Sequence, residues 1–284
     1  MGTLPEEPIT EGVHATPYPH AANVVVAYPS FGDWVRLYDA QKNRTMSGNH
    51  ELFVDMRRNH ERKTTEQLNI MVKSDTGQAV FDEIGARPSF SVMILPFDFL
   101  PAASWSMHTG AVTRAVQRRQ EALADVPMAG QTSEGKRYFS PTKGTGTGSA
   151  ADIYFTSRRH RGHETPDEVL LHELTHATRK LRGVVHRMPV SGGYGNLEEF
   201  LATLVANIYR SEKGKPPLDY HGQEIDPAKF LDTDLSPTAR LLIATFRGKQ
   251  PDFFAALSAI EAKFNPVQQV DAENSAVMKR AANG

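Results

Sequence analysis

The sequence contains no cysteine, and this absence excludes several classes of site. A chain without cysteine forms no disulfide, no zinc site with thiolate ligands and no cysteine nucleophile. The sequence also lacks an excess of charge of either sign, because its formal net charge is −1. Since no basic field points to nucleic acid, we expect no nucleic acid among the partners.

Long hydrophobic runs are absent too. No apolar stretch approaches the ~20 residues that a membrane span needs, so we expect a soluble protein with no membrane partner. The first twenty residues have neither a basic start nor an apolar core, and a Sec signal peptide requires both. If the protein is exported, we therefore expect a route without a cleaved signal peptide.

Local patterns divide the chain into strands and helices. β-branched or alternating apolar residues predict strands at 22–28, 89–96 and 151–156. Apolar residues at helical spacing, with caps and breakers, predict helices at 52–73, 78–84, 111–124, 165–183, 196–210, 236–246 and 252–264. Residues 21–266 are predicted to form one domain, between a disordered segment at 1–20 and a frayed tail at 267–284.

One pattern with a clear chemical meaning is His-Glu-x-x-His at residues 172–176. A Thr-x-x-Glu capping box with proline at the first helical position precedes it, and a glycine follows a basic last turn, so this segment is predicted to be a helix that begins near Thr165. Positions four apart share one helix face, so His172 and His176 can bind one metal ion. Glu173 lies beside them and can take a proton from a metal-bound water, as in zinc hydrolases.

The third metal ligand is predicted to come from the helix that begins at Asn196. Beyond its first turn this helix has few polar side chains, so a carboxylate on it needs a partner, and a cation is the natural one. Glu199 is favoured over Glu198 because small residues share its side of the helix and would let the metal helix approach closely. Glu198 would then support a histidine ligand by hydrogen bonding. The choice between the two glutamates stays open at this point.

Hydrolysis of a peptide bond at this site needs a further donor for the oxyanion. Tyr194 and His221 are candidates, because both lie in predicted loops that could fold over the cleft. In the predicted reaction, zinc lowers the pKa of its bound water and Glu173 passes the proton to the leaving nitrogen. Two other functions fit the same residues: an inactive binding module, and a zinc hydrolase of a non-peptide amide.

Two segments near the motif receive structural interpretations. The glycine-rich run at residues 144–149 lacks the Gly-Lys-Ser/Thr ending of a phosphate-binding loop, and we interpret it as a flexible connector and a mobile rim of the site. The strand at 151–156 is predicted to offer its edge to an extended substrate, which main-chain hydrogen bonds would hold in register.

Several segments, taken in chain order, resemble the NleD-like bacterial effector zinc metallopeptidases. They are the helix at 52–73, KSDTGQAVFDEI (73–84), SVMIL (91–95), GTGTGSAADIYF (144–155), LLHELTHA (170–177) and NLEEFLA (196–202). The resemblance implies a compact α+β zincin-like domain with a small mixed sheet, the His-Glu-x-x-His helix and one zinc ion per chain. The Glu-x-x-Ala spacing at 199–202 also resembles the third-ligand pattern of zincins that use glutamate. Residues 211–284, with their two predicted closing helices, have no counterpart in this resemblance.

The resemblance also implies a biological setting. Members of this family cleave proteins of a target cell after secretion into it, and signalling kinases are among their substrates. Related domains serve as toxins between bacteria, so a secretion chaperone or an immunity protein is an expected partner. The expected location is therefore the target cell after secretion or, as the alternative, the bacterial cytoplasm.

Overall fold

A mixed β-sheet with helices against it forms the framework of the protein, which was analysed as a computed structural model. The structure describes residues 7–8, 13–42, 50–99, 111–115, 129–131, 137–139, 144, 146–158, 164–191, 193–232 and 238–282. Its strands, numbered in chain order, are β1 (Glu7–Pro8), β2 (Val13–Tyr18), β3 (Ala21–Pro29), β4 (Val92–Pro96), β5 (Ala111–Ala115), β6 (Ala129–Gln131), β7 (Arg137–Phe139), β8 (Ala151–Phe155), β9 (Pro189–Val190) and β10 (Gly195–Asn196).

Six of these strands form the main sheet, in the order β1-β2-β3-β4-β8-β5. Strands β3, β4 and β8 are parallel to one another, and the remaining pairs are antiparallel. Side chains of β4 and β8 alternate between buried and half-buried, as expected for strands with one face against the core. The edge strand β5 pairs with β8 alone, so its other edge is open in the described part of the chain.

The described residues also form eight α-helices. They are α1 (Phe31–Lys42), α2 (His50–Met71), α3 (Asp75–Gly85), α4 (Pro166–Arg182), α5 (Leu197–Glu212), α6 (Ala239–Arg247), α7 (Pro251–Ala259) and α8 (Pro266–Ala282). The fold is thus α+β with a mixed sheet, a His-Glu-x-x-His helix and additional C-terminal helices, which confirms the predicted fold class. In the parts of the chain that the structure describes, no helix has the length and apolarity to cross a membrane.

Helix α4 has the caps that its sequence predicts. The backbone N–H of Thr165 donates to Oε2 of Glu168 at 3.1 Å, and Gly183 ends the helix in the left-handed region at φ 63°. Four leucines and an alanine on its apolar side are fully buried against the sheet and neighbouring helices: Leu170, Leu171, Leu174, Ala177 and Leu181. This packing fixes the rotation of α4 about its axis and directs His172 and His176 away from the core.

The chain ends and the segment after β3 differ from the sequence-based expectations. Residues 13–18, expected to be disordered, form β2, in which Tyr18 is buried and donates to Oδ1 of Asn69 at 3.1 Å. Helix α1 lies in a segment for which the sequence patterns predicted neither a strand nor a helix. The expected frayed tail is helix α8, because Val267 and Val270 are buried in the main core and hold it there. These contacts form between segments far apart in sequence, so composition alone does not predict them.

Strand β5 is the most consequential correction. A helix was predicted at 111–124, but residues 111–115 form a strand, while residues 116–124 lie outside the described residues. Hydrogen bonds to β8 outweigh the local helical preference of this short segment. As a result, β8 lies inside the sheet between β4 and β5, and the edge beside α4 belongs to β5 rather than to the strand at 151–155.

The glycine segment, defined here as residues 144 and 146–149, is packed against the C-terminus of α4 rather than forming a mobile rim. The backbone N–H of Gly146 donates to the carbonyl of Gly183 at 2.9 Å, and that of Ser149 donates to Lys180 at 3.0 Å. The last carbonyls of a helix have no partner within the helix, so these bonds cap α4. Glycine is required because the two backbones approach so closely that a Cβ on Gly148 would lie 2.0 Å from the carbonyl oxygen of Leu181.

Gly148→Ala is therefore expected to lower the free energy of unfolding by more than about 2 kcal/mol. The substitution adds a steric clash to the ~1–2 kcal/mol that alanine costs in the left-handed region, where Gly148 lies at φ 81°. Gly146→Ala is the matched control, because Gly146 has φ 87° but no atom within 4 Å of its added Cβ. Denaturant unfolding of both variants measures the difference, and equal losses would contradict the close packing.

Candidate metal centre

Three side-chain atoms from α4 and α5 converge on one point beside the edge strand. The Nε2 atoms of His172 and His176 lie 3.2 Å apart. Oε2 of Glu199 lies 3.2 Å from the first nitrogen and 3.3 Å from the second. Among the described residues, this is the one group of three or more His, Asp or Glu side chains close enough to hold a metal ion together. The structure thus brings together the three residues predicted to be metal ligands.

The dimensions of this triangle fit zinc. Two atoms bound tetrahedrally to zinc at about 2.0–2.1 Å lie roughly 3.3–3.4 Å apart, close to the distances seen here. Two imidazole nitrogens and one carboxylate oxygen are also a donor set that zinc accepts at catalytic sites, with a fourth position left open. The residues present therefore suit a zinc ion, which they would hold between the two helices.

The electrostatics of the triangle favour a positive charge at its centre. Burial alone would raise the pKa of the Glu199 carboxyl, but the facing imidazoles of His176 and His172 hold that pKa well below its usual range. Burial alone would lower the pKa of His172, yet the hydrogen bond and charge of Glu199 raise it, and nearby carboxylates add to the effect. A carboxylate is thus kept ionised in a mostly buried position, where it needs a cationic partner.

Glu173 lies beside the triangle and contributes no atom to it. The hydroxyl of Thr113 lies 2.6 Å from Oε2 of Glu173 and 3.0 Å from its backbone oxygen. Thr113 is the middle residue of β5, so the edge strand orients the carboxylate that was predicted to be the general base. Thr113 was not among the predicted site residues, because this segment was expected to be a helix.

Glu198 does not support a histidine ligand, which corrects the role expected for it. It is buried, and its carboxylate accepts from Arg179 through Nε at 2.7 Å and Nη2 at 3.0 Å. The backbone N–H of His186 also donates to it at 2.6 Å. Adjacent residues point about 100° apart on a helix, so the side chain of Glu199 reaches His172 and His176 while that of Glu198 reaches Arg179 in the C-terminal half of α4.

Arg179 also connects Glu198 to a series of buried polar side chains that ends in α3. Its Nη1 donates to Oε1 of Gln250 at 2.7 Å, and its guanidinium lies 4.6 Å from the ring centroid of Phe246. Nε2 of Gln250 donates to Glu83 at 2.6 Å, and Glu83 is also paired with Arg182. The C-terminal helices thus brace α4 one turn beyond His176.

The N-terminal turn of α4 is fixed in a similar way. Oδ2 of Asp167 accepts from the hydroxyl of Tyr209 and from Lys213, both at 2.5 Å. Glu168 accepts from Lys215 at 2.6 Å and is paired with Arg210. These partners lie on or just after α5, so ion pairs hold α4 and α5 together on both sides of the triangle.

A cleft of about 390 Å³ opens over the triangle. Strand β5 and helices α4 and α5 form its sides, and the segment at 218–220 closes one wall. Asn207 holds that wall, because its Nδ2 donates to the carbonyl of Leu218 at 2.6 Å and its Oδ1 accepts from the N–H of the same residue at 2.8 Å. The lining of the cleft thus includes an extended strand and a segment that Asn207 anchors to α5.

The two predicted oxyanion donors lie outside the described lining of this cleft. Tyr194 is buried with its ring 5.2 Å from that of Phe200, and burial raises its pKa to about 12. The ring of His221 lies close to Gly193 in the neighbouring loop, because a Cβ atom built on Gly193 would be only 2.9 Å from Nε2 of His221. Tyr220, next to His221, does line the cleft. Nothing in the sequence favours Tyr220 over its neighbour His221 as a residue of the cleft.

Comparison of the chain with protein-family models, with curated proteins and with solved structures finds no match. The resemblance to the NleD-like metallopeptidases therefore rests on the residues quoted for it and stays a prediction.

Proposed function

We propose that the protein is a zinc-dependent endopeptidase. The observation that carries the proposal is the triangle of His172, His176 and Glu199 with the Glu173 carboxylate beside it and an open edge strand along the same cleft. Each part has a separate role in peptide hydrolysis: the triangle holds a metal ion, the carboxylate moves a proton, and the strand aligns an extended chain.

Glu173 performs the proton transfers in the proposed reaction. A zinc ion in the triangle would lower the pKa of a water molecule in the cleft and polarise the scissile carbonyl. The Glu173 carboxylate takes a proton from the attacking water and then delivers it to the leaving nitrogen. The Thr113 hydroxyl, 2.6 Å from Oε2 of Glu173, keeps that carboxylate oriented towards the cleft during both steps.

The edge strand presents the substrate. Residues 111–113 of β5 line the cleft, so an extended peptide added to this edge passes directly over the triangle. Main-chain hydrogen bonds to β5 would hold the scissile bond in place whatever its side chains are. Tyr220, which lines the cleft, replaces Tyr194 as our candidate donor to the oxyanion.

The proposed biological setting is supported by the sequence resemblance alone. We place the substrate among proteins of a target cell, with a signalling kinase as one candidate. Delivery into that cell would proceed without a cleaved signal peptide, and a secretion chaperone or an immunity protein would be the partner before delivery.

Metal removal tests the proposed function. We expect about one zinc per chain by elemental analysis, cleavage of casein by the zinc-loaded protein, loss of cleavage after chelation and recovery on adding zinc back. His176→Ala should lose both zinc and activity, while His221→Ala, a histidine outside the triangle, should retain zinc. Cleavage that persists in the metal-free protein, or zinc retained by His176→Ala, would contradict the proposal.

A further inference from the structure

Two uncharged polar side chains flank Glu199 along α5. Asn196 precedes Glu199 by three residues and Thr203 follows it by four, and residues at these spacings lie on one side of a helix. All three residues line the cleft. The proposed metal ligand on α5 therefore has one polar side chain a turn before it and another a turn after it.

The side-chain amide of Asn196 is oriented by the N-terminus of α5. Its Oδ1 accepts from the backbone N–H of Glu198 at 2.9 Å and from that of Glu199 at 3.3 Å, so Asn196 caps the helix. Because the cap uses the oxygen, Nδ2 is the end of the amide that faces away from the helix. Nδ2 has no hydrogen-bond partner among the described residues, whereas Nδ2 of Asn207 and that of Asn265 both donate to backbone carbonyls.

The hydroxyl of Thr203 is a second donor without a partner in the described part of the chain, although the residue is only 7% exposed. A threonine within a helix can donate to the carbonyl three or four residues back. Thr175, Thr178 and Thr245 each make such a bond. Since Thr203 makes none and lines the cleft, its hydroxyl is available to a group bound there.

A peptide paired with β5 leaves one of its own edges without partners in the sheet. Its backbone C=O groups alternate between two edges, and pairing with β5 uses only one of them. The carbonyls of the other edge lose water when the peptide enters the cleft, so the cleft lining must supply donors for them. Asn196 and Thr203 offer such donors on either side of Glu199 along α5.

We infer that Nδ2 of Asn196 and the hydroxyl of Thr203 donate to backbone carbonyls of the bound peptide. The two donors thereby hold the edge of the peptide that β5 does not reach. Hydrogen bonds to the main chain are independent of the side chains of the peptide, so this contact serves substrates of different sequence. The inference rests on the proposed function, because it takes the cleft to be the peptide-binding site.

Two substitutions remove one donor each and keep the rest of the site. Asn196→Ser retains an oxygen that can cap α5 but lacks the amide, and Thr203→Val replaces the hydroxyl with a methyl group of similar size. Both are made in the zinc-loaded Glu173→Gln protein, which binds without turnover. Each should weaken the binding of fluorescein-labelled casein about five- to tenfold by fluorescence polarisation, the usual effect of losing one hydrogen bond.

Zinc affinity separates contact with the peptide from an effect on the metal ligand. It should stay within about twofold of the parent in both variants, because neither residue belongs to the triangle. Thr245→Val, the same change outside the described lining of the cleft, should leave casein binding unaltered. Unaltered casein binding in Asn196→Ser and Thr203→Val, or a loss of zinc that accompanies the loss of binding, would overturn the inference.

A second unfolded protein tests whether the donors bind the main chain. Labelled, carboxymethylated lactalbumin should lose affinity to the same extent as casein, and a loss confined to casein would show that the donors bind side chains instead. Wild-type cleavage of casein is followed in parallel. Binding that depends on both donors without any cleavage would contradict the endopeptidase activity and support the inference, while cleavage that neither substitution changes would do the reverse.

Discussion

Replacing Glu173 with glutamine should lower kcat/KM for peptide hydrolysis by about 10²- to 10⁴-fold, the usual contribution of a positioned acid or base. This corresponds to roughly 3–5 kcal/mol of lost transition-state stabilisation. Zinc should stay bound, because Glu173 contributes no atom to the ligand triangle. The glutamine keeps an oxygen that can accept from Thr113, so the geometry of the site is preserved while the proton acceptor is lost.

The control for this variant is Glu261→Gln, an equal substitution at an exposed position after α7. Its kcat/KM and zinc content should match those of the wild-type protein. Activity of Glu173→Gln within tenfold of wild type would contradict the general-base role. Loss of zinc from the same variant would show that Glu173 helps to hold the metal.

Glu198→Ala and Glu199→Ala should affect different properties although the two residues are adjacent: the first should lower stability, and the second should lower zinc affinity. Without Glu199 the triangle loses its only oxygen ligand, so we expect zinc affinity to fall by more than about 100-fold, beyond what loss of an outer hydrogen-bond partner costs. Without Glu198 the buried Arg179 loses its carboxylate partner. Breaking a buried ion pair from one side typically costs about 3–5 kcal/mol, so this variant should lose stability.

Two measurements separate these outcomes. Competition with a chelator gives the zinc affinity of each variant, and denaturant unfolding of the metal-free proteins gives their stability. The metal-free Glu199→Ala protein should be nearly as stable as metal-free wild type. If Glu198→Ala instead kept its stability and lost more zinc affinity than Glu199→Ala, the assignment of the third ligand would be wrong.

The parts of the site that follow from local chemistry could be predicted from the sequence. The cap at Thr165, the left-handed Gly183 and the common face of His172 and His176 all depend on residues within one helix. The preference for Glu199 over Glu198 also came from helical phase, and the structure brings Glu199 to the histidines. Such features need only the periodicity and end groups of a helix.

The parts that depend on distant segments could not be predicted in this way. Strand β5 has five residues and becomes a strand by pairing with β8, about forty residues further on, so its local pattern was misleading. Thr113 was missed for the same reason. The partner predicted for Glu198 was wrong, because nothing in the local sequence indicates that the side chain of Arg179 turns inward, onto Phe246 and towards Gln250.

The hydrogen bond that Arg179 donates to Gln250 has a consequence for the order of events during synthesis. The proposed metal ligands, the proposed proton acceptor and the edge strand all lie between residues 111 and 199, but one brace on α4 comes from residue 250 and from Glu83 behind it. Since N-terminal regions leave the ribosome first, a growing chain contains the triangle and Glu173 before it contains Gln250, which is one of the side chains that brace α4. We expect a chain that ends before Gln250 to hold the C-terminal half of α4 less firmly, so that the proposed site reaches its final geometry only after Gln250 has packed against Arg179.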